Sequence, residues 1–209
     1  MDGKTEEQGG RPDRPLRADA QRNLDALLQA AMAVFAKSGV DAPIREIAEL
    51  AGVGIGTVYR HFPQRSDLIV AVFRHEVDAC AEAAPVLAAQ HTPEDALRQW
   101  VERYVGFIRA KRGLAAALHS GDPAYEALPA YFETRLRPTL ESLLDAAAAA
   151  GSIRAGADPH DLLWAVASLC ASPRNQDPAL ARRMIGLLLD GLRYGAASPA
   201  APFPEATIA

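Results

Sequence analysis

The chain has 209 residues, 49% apolar and 23% charged, which is enough for a real core and ordinary for a globular protein. Its formal charge of −4 excludes a bulk-basic polyanion binder, and Cys80 and Cys170, far apart with no His or second Cys at ligand spacing, exclude a disulfide framework or a zinc site. Charge is uneven, however: residues 11–75 hold nine basic against seven acidic side chains, and residues 76–209 twelve against sixteen.

Residues 1–16 mix Gly, Pro and charge without periodicity and are expected to be a disordered arm. They lack the apolar core of a signal peptide, and no apolar run approaches a membrane span, so a cytoplasmic protein is expected. A first helix is predicted from about Ala18, with Leu24, Leu28, Ala31 and Phe35 on one stripe and Gly39 as its stop. Pro43 suits the first turn of a short second helix. There Ile44, Ile47, Ala48 and Ala51 form a stripe that ends at Gly52. A third short helix covers about Gly54 to Phe62, and Pro63 closes it. Ser66 is the expected N-cap of a fourth helix bearing Leu68, Val72 and Val77, which Pro85 should end or kink.

Thr92-Pro93-Glu94-Asp95 reads as a helix start, with a hydroxyl cap, Pro in the first turn and acids near the positive helix end. This fifth helix is predicted to reach Arg112. A short sixth covers about Leu114 to His119, a long seventh runs from near Tyr125 to Gly151, and an eighth opens at Asp158-Pro159. Residues 172–177 form a loop before a ninth helix over about Pro178 to Tyr194. The tail 195–209 is expected to be disordered. The chain is thus all-α with about nine helices.

Residues 43–62, PIREIAELAGVGIGTVYRHF, hold two short helices joined by Gly52-Val53-Gly54, the plan of a helix-turn-helix. Ile47, Ala48, Ala51, Val53, Val58 and Phe62 face inward. The other face of the second short helix carries Ile55, Gly56, Thr57, Tyr59, Arg60 and His61, whose donors suit phosphate oxygens and base edges. Gly56 lets the backbone approach DNA closely.

This segment strongly resembles the DNA-binding domain of the TetR/AcrR family of regulators. The matching residues are Ile44, Ile47-Ala48, Ala51-Gly52-Val53, Gly56-Thr57-Val58-Tyr59 and His61-Phe62, followed by Pro63 and Leu68. The resemblance covers residues 17–77 closely and the remaining helix lengths loosely. It implies a three-helix DNA-binding domain at 17–75 and a ligand-binding and dimerisation domain at 76–194. It further implies that Thr57, Tyr59 and His61 hold phosphates and that Arg45 reads a base. Arg60 would read a base or clamp a phosphate, Arg65 would bind a phosphate, and Arg17, Arg22 and the arm would add backbone or minor-groove contacts. Two departures stand out: Gly54 replaces a common capping hydroxyl, and Ile55 stands where a polar residue is usual and would touch a thymine methyl.

On the same plan, Leu162, Val166 and Leu169 would pair with Leu180, Met184, Leu187, Leu188 and Leu192 across a two-fold axis, forming a four-helix bundle in a homodimer. Candidate pocket residues are Trp100, Tyr104, Phe107, His119, Tyr125, Tyr131 and Trp164, although core packing is the blander role for each. They suggest a small apolar or aromatic effector. His119-Ser120 beside Asp122 brings together three catalytic residue types, but no nucleophile elbow or metal motif accompanies them. The chain therefore reads as a regulator without enzymatic activity or cofactor, in most cases of this family a repressor. Retention of Arg45, Thr57, Tyr59 and His61 argues against a ligand sink that has lost DNA binding.

Overall fold

The computed structural model describes residues 13–171 and 177–194 and is all-helical. Its α-helices are α1 (Asp13–Ser38), α2 (Ile44–Ala51), α3 (Ile55–His61), α4 (Arg65–Gln90), α5 (Pro93–Ala110), α6 (Ala115–Leu118), α7 (Leu128–Ala149), α8 (Pro159–Ala171) and α9 (Pro178–Tyr194). Two 3-10 turns, Lys111–Leu114 and Pro123–Tyr125, fill the path between α5 and α7. Helix α1 begins ahead of the expected Ala18, so residues 13–16 of the expected disordered arm are helical. The rest of that arm, the side chain of Arg17, residues 172–176 and the tail 195–209 lie outside the described residues.

The N-terminal unit closes on Leu27, Leu28, Ala31 and Phe35 of α1, which pack with Ile47 and Ala48 of α2 and Val58 of α3. Gly39 ends α1 with φ of +80°, a left-handed conformation that glycine adopts without steric cost. Val40 folds back into the core behind it.

Helix α4 differs from its sequence reading at both ends. Its N-cap is Gln64, not Ser66, and the Asp67 carboxylate accepts the Gln64 N–H at 3.0 Å. It also runs through Pro85, where an end or kink was expected. Proline removes one ladder hydrogen bond, but Pro85 is exposed while Ala81 and Ala84 on the same turn are buried. Packing of the apolar side therefore carries the helix across the gap. Its 26 residues make a rod of about 39 Å at 1.5 Å per residue, and the boundary expected at 75/76 falls in its middle.

Helix α5 starts as predicted: Thr92 Oγ1 accepts the Asp95 N–H at 3.3 Å, with Pro93 in the first turn. It buries Leu97, Trp100, Val101, Tyr104, Val105 and Ile108 against α4, α7 and α8. Among the described residues, no helix is long and apolar enough to cross a membrane.

Candidate nucleic-acid interface

Residues 43–62 fold as two short helices around a sharp turn. Gly52 takes φ of +69°, and the chain closes there with Gly52 N–H on the Glu49 carbonyl at 3.2 Å and Val53 N–H on the Ala48 carbonyl at 3.0 Å. This pairing satisfies the last carbonyls of α2 and re-aims the chain into α3. Ile47, Ala48 and Val58 are buried beneath it, while Ala51, Val53 and Phe62 pack half-buried at the margin. No side chain caps α3 at Gly54.

Burial of Val58 turns the opposite side of α3 to solvent. Ile55 and Tyr59 are 46% and 53% exposed, high for side chains that apolar packing would otherwise hide. Gly56, Arg60 and His61 are also exposed, and Thr57 is half-buried. Arg60 lies back along its own helix, donating from Nε to the Gly56 carbonyl at 3.3 Å and from Nη2 to Thr57 Oγ1 at 3.0 Å. Arg45 projects from α2 and, among the described residues, pairs with Glu49 at 2.8 Å in an exposed ion pair. Such pairs contribute little, about 0–1 kcal/mol, so both guanidiniums are easily redirected to an incoming polyanion.

Thr57 and His61 also line a cleft of about 300 Å³ between α3 and α1, where Asn23 of α1 joins them. Asn23 was missed in the sequence reading because its relation to α3 arises only from helix packing. Arg22 is on the exposed side of α1. Arg65 donates from Nη1 to the carbonyls of Val40 and Ala42, the latter at 2.9 Å. This bonding ties the head of α4 to the α1–α2 connection.

The C-terminal half separates the expected pocket residues into groups. Trp100 and Tyr104 are fully buried. They stack at 5.7 Å, and Trp100 Nε1 donates to the Cys80 carbonyl at 2.9 Å and Tyr104 Oη to the Leu163 carbonyl at 3.2 Å. Burial drives the Tyr104 phenol far above its ordinary pKa and the Cys80 thiol up to about 12, so neither ionises near neutrality. Phe107 is also buried.

His119 and Tyr125 do line a cavity, of about 330 Å³, together with Phe73, Lys111, Leu118, Leu128, Pro129, Phe132 and Glu133. Phe73 and Lys111 gave no signal in the sequence, because only the packing of the helices brings them to one cavity. Beside this cavity Tyr131 donates to Asp78 Oδ2 at 2.6 Å, and Arg135 donates to Asp78 Oδ1 at 2.7 Å. Trp164 lies apart from this cavity, 68% exposed on α8, where it borders a smaller cavity with Tyr104, Lys111 and Phe132.

The expected dimer seam also divides. Leu162, Val166 and Leu192 are buried within the subunit, and Leu169 and Leu188 pack half-buried against the same core. These residues belong first to the subunit's own interior. Leu180, Met184 and Leu187 face outward, with Leu187 63% exposed.

Comparison with known proteins agrees with this geometry. Residues 27–72 match the family described as bacterial regulatory proteins, tetR family. Residues 92–194 match the C-terminal domain of SbtR-like transcriptional regulators. Over 117 residues, 50% of this chain and 61% of the relative, the sequence is 41% identical to the HTH-type transcriptional repressor LfrR of Mycolicibacterium smegmatis. An HTH-type transcriptional regulator of Staphylococcus aureus is 36% identical over 64 residues, 30% of this chain and 35% of that protein. The chain thus spans less than two thirds of the length of these curated relatives. Solved structures match more fully. A TetR transcriptional regulator from Streptomyces coelicolor superposes with a TM-score of 0.71 at 38% identity, over 85% of this chain and 99% of that one. One from Mycobacterium vanbaalenii gives a TM-score of 0.66 at 36% identity, over 86% and 99%.

Proposed function

The chain belongs to the TetR family of DNA-binding transcriptional regulators, and from that premise we propose that it is a homodimeric repressor released from a palindromic operator by a small, largely apolar effector. The observation that carries the release step is the continuity of α4. This one helix is fixed at its head to the helix-turn-helix through Arg65 and Leu68, lines the cavity with Phe73, and is tied to α7 through Asp78. A ligand that moves α7 against α4 acts on the rod that positions α3. It must bind the DNA-incompetent arrangement better than the competent one, and a coupling of about 1–3 kcal/mol is typical.

In the DNA complex, Thr57, Tyr59 and His61 hold phosphates, Arg45 reads a base, and Arg60 swings from its own helix to a phosphate or base edge. Ile55 meets a thymine methyl and Gly56 allows close approach. The exposed Trp164, Leu180, Met184 and Leu187 on α8 and α9 support a second copy as partner, since a two-fold interface uses the same patch twice. The repressor role is supported by likeness to LfrR, itself described as a repressor.

The test is selection of fragments bound from genomic DNA, followed by transcript measurement in a strain lacking the gene. An imperfect palindrome with half-sites about one helical turn or somewhat more apart, and rising transcripts beside it on deletion, are expected. Falling transcripts would make the protein an activator, and an asymmetric single site would remove the dimeric reading.

A further inference from the structure

The cavity between α4 and α7 is walled by Phe73, Leu118, Leu128 and Phe132, and a cation stands at its edge. Lys111 opens the 3-10 turn that follows α5, and its ammonium lies 5.7 Å from the centre of the Phe132 ring. Phe132 is held in turn against Phe107 and Tyr104, each about 6.1 Å away between ring centres. The stem of Lys111 is thus guided along a fixed aromatic surface. Among the described residues no carboxylate comes within 4.0 Å of its nitrogen. Glu133, the acid on the same wall, lies instead 3.5 Å from His160 Nδ1. Desolvation lowers the Lys111 pKa, as expected of an ammonium that has left water without meeting an anion.

Two further polar groups line the same wall. His119 bonds the Ala115 carbonyl through Nδ1 at 2.8 Å, so in the neutral ring Nε2 is an acceptor. Tyr125 is 9% exposed, and its hydroxyl has no hydrogen-bond partner among the described residues. An apolar cavity with one uncompensated cation and a spare phenolic donor is complementary to a molecule with an apolar body and a single anionic end.

We propose that this cavity binds an anionic amphiphile, with a carboxylate, sulfonate or phosphate-type group set against Lys111 and the apolar body packed on Phe73, Leu128 and Phe132. The proposal rests on the effector reading of the cavity and adds the chemical class. The position of Lys111 also explains how such a ligand reaches the DNA-binding end. In the same turn Arg112 donates to the Cys170 carbonyl of α8. Gly113 approaches the Phe35 carbonyl of α1 so closely that a Cβ there would overlap it. A ligand that draws Lys111 inward pulls on a turn seated against both helices.

The test uses the full chain and two fluorescent probes with nearly the same rings, anilinonaphthalene sulfonate and its uncharged counterpart phenylnaphthylamine. Lys111→Met keeps the apolar stem and removes the charge. It is expected to weaken sulfonate binding by about tenfold or more while leaving the neutral probe within about twofold, and Lys111→Arg is expected to restore the sulfonate. Leu118→Trp, which fills the cavity, should remove both probes. Equal loss of both probes in Lys111→Met, or no loss of either, would overturn the proposal. So would retention of both in Leu118→Trp, or a preference for the neutral probe in the wild-type protein. Operator affinity measured in the same samples separates the two readings. Sulfonate binding that depends on Lys111 but leaves the operator bound keeps the anionic site and rejects release by effector. Release by the sulfonate that is unchanged in Lys111→Met keeps release and rejects the anionic site.

Discussion

Arg45 and Arg65 bring the same guanidinium into different surroundings, and their variants should fail in different ways. Arg45 stands exposed on α2 and pairs with Glu49, so Arg45→Ala is expected to fold normally and relax preference at one base pair per half-site. The cost there is about 1–3 kcal/mol, the worth of a good bidentate base contact, and binding to a panel of single-base operator variants measures it. Arg65 is half-buried and holds the carbonyls of Val40 and Ala42. Arg65→Ala leaves those acceptors without their charged donor, a loss of about 1.5–3 kcal/mol in stability, read as a lowered melting temperature. The dependence of operator affinity on salt should keep its slope, because no phosphate contact is lost. A slope flatter by about one unit would return Arg65 to the DNA surface.

At the scale of elements, the joints between helices matter more than their lengths. The connection after α5 had read as an ordinary short helix; it is a tight 3-10 turn running into α6, with Leu114 fully buried and Gly113 against the backbone of α1. Here the lack of a side chain is what allows the approach, and the obstacle to any Cβ is backbone that cannot rotate away. Gly113→Ala should therefore destabilise the protein by about 1–3 kcal/mol, as overpacking does, and displace the tail of α1. Thermal melting, with operator affinity measured well below the melting point, checks both effects. A variant that melts like the wild type would show that α1 and the turn separate freely. Pro85 shows the converse, since one missing ladder bond on an exposed side does not end a helix whose other side is buried.

For the whole molecule, the proposed homodimer places its seam on the outward face of α8 and α9. Of the leucines on α9, Leu187 is the most open, while Leu188 packs half-buried and Leu189 and Leu192 lie in the core. Leu187→Arg should accordingly leave the subunit folded yet place an unpaired charge in the seam between copies, which is costly. Monomers by light scattering, unchanged helical circular dichroism and little operator affinity are expected. Trp164, exposed on α8, should lose its shift to shorter wavelength on association in the same variant. A dimer that persists at micromolar concentration would place the interface elsewhere.

The sequence by itself determined the all-helical class, the order of the helices, the turn at Gly52 and the face of α3 that meets solvent. These follow from spacing along one short stretch of chain: Val58 can be buried only by exposing Ile55, Tyr59 and Arg60, and the turn needs a residue tolerant of positive φ. The two long C-terminal helices were legible for the same reason. Tertiary structure alone decided which cations are free, which aromatics are core and which leucines face outward. Arg65 is occupied because the α1–α2 connection passes over it, and Trp100 is core because the Cys80 carbonyl faces its indole. Lys111 borders a cavity because α4 and α7 leave space beside Phe132. Each of these outcomes is set by neighbours far away in the chain, and helical periodicity carries no information about which distant backbone will lie opposite a given side chain.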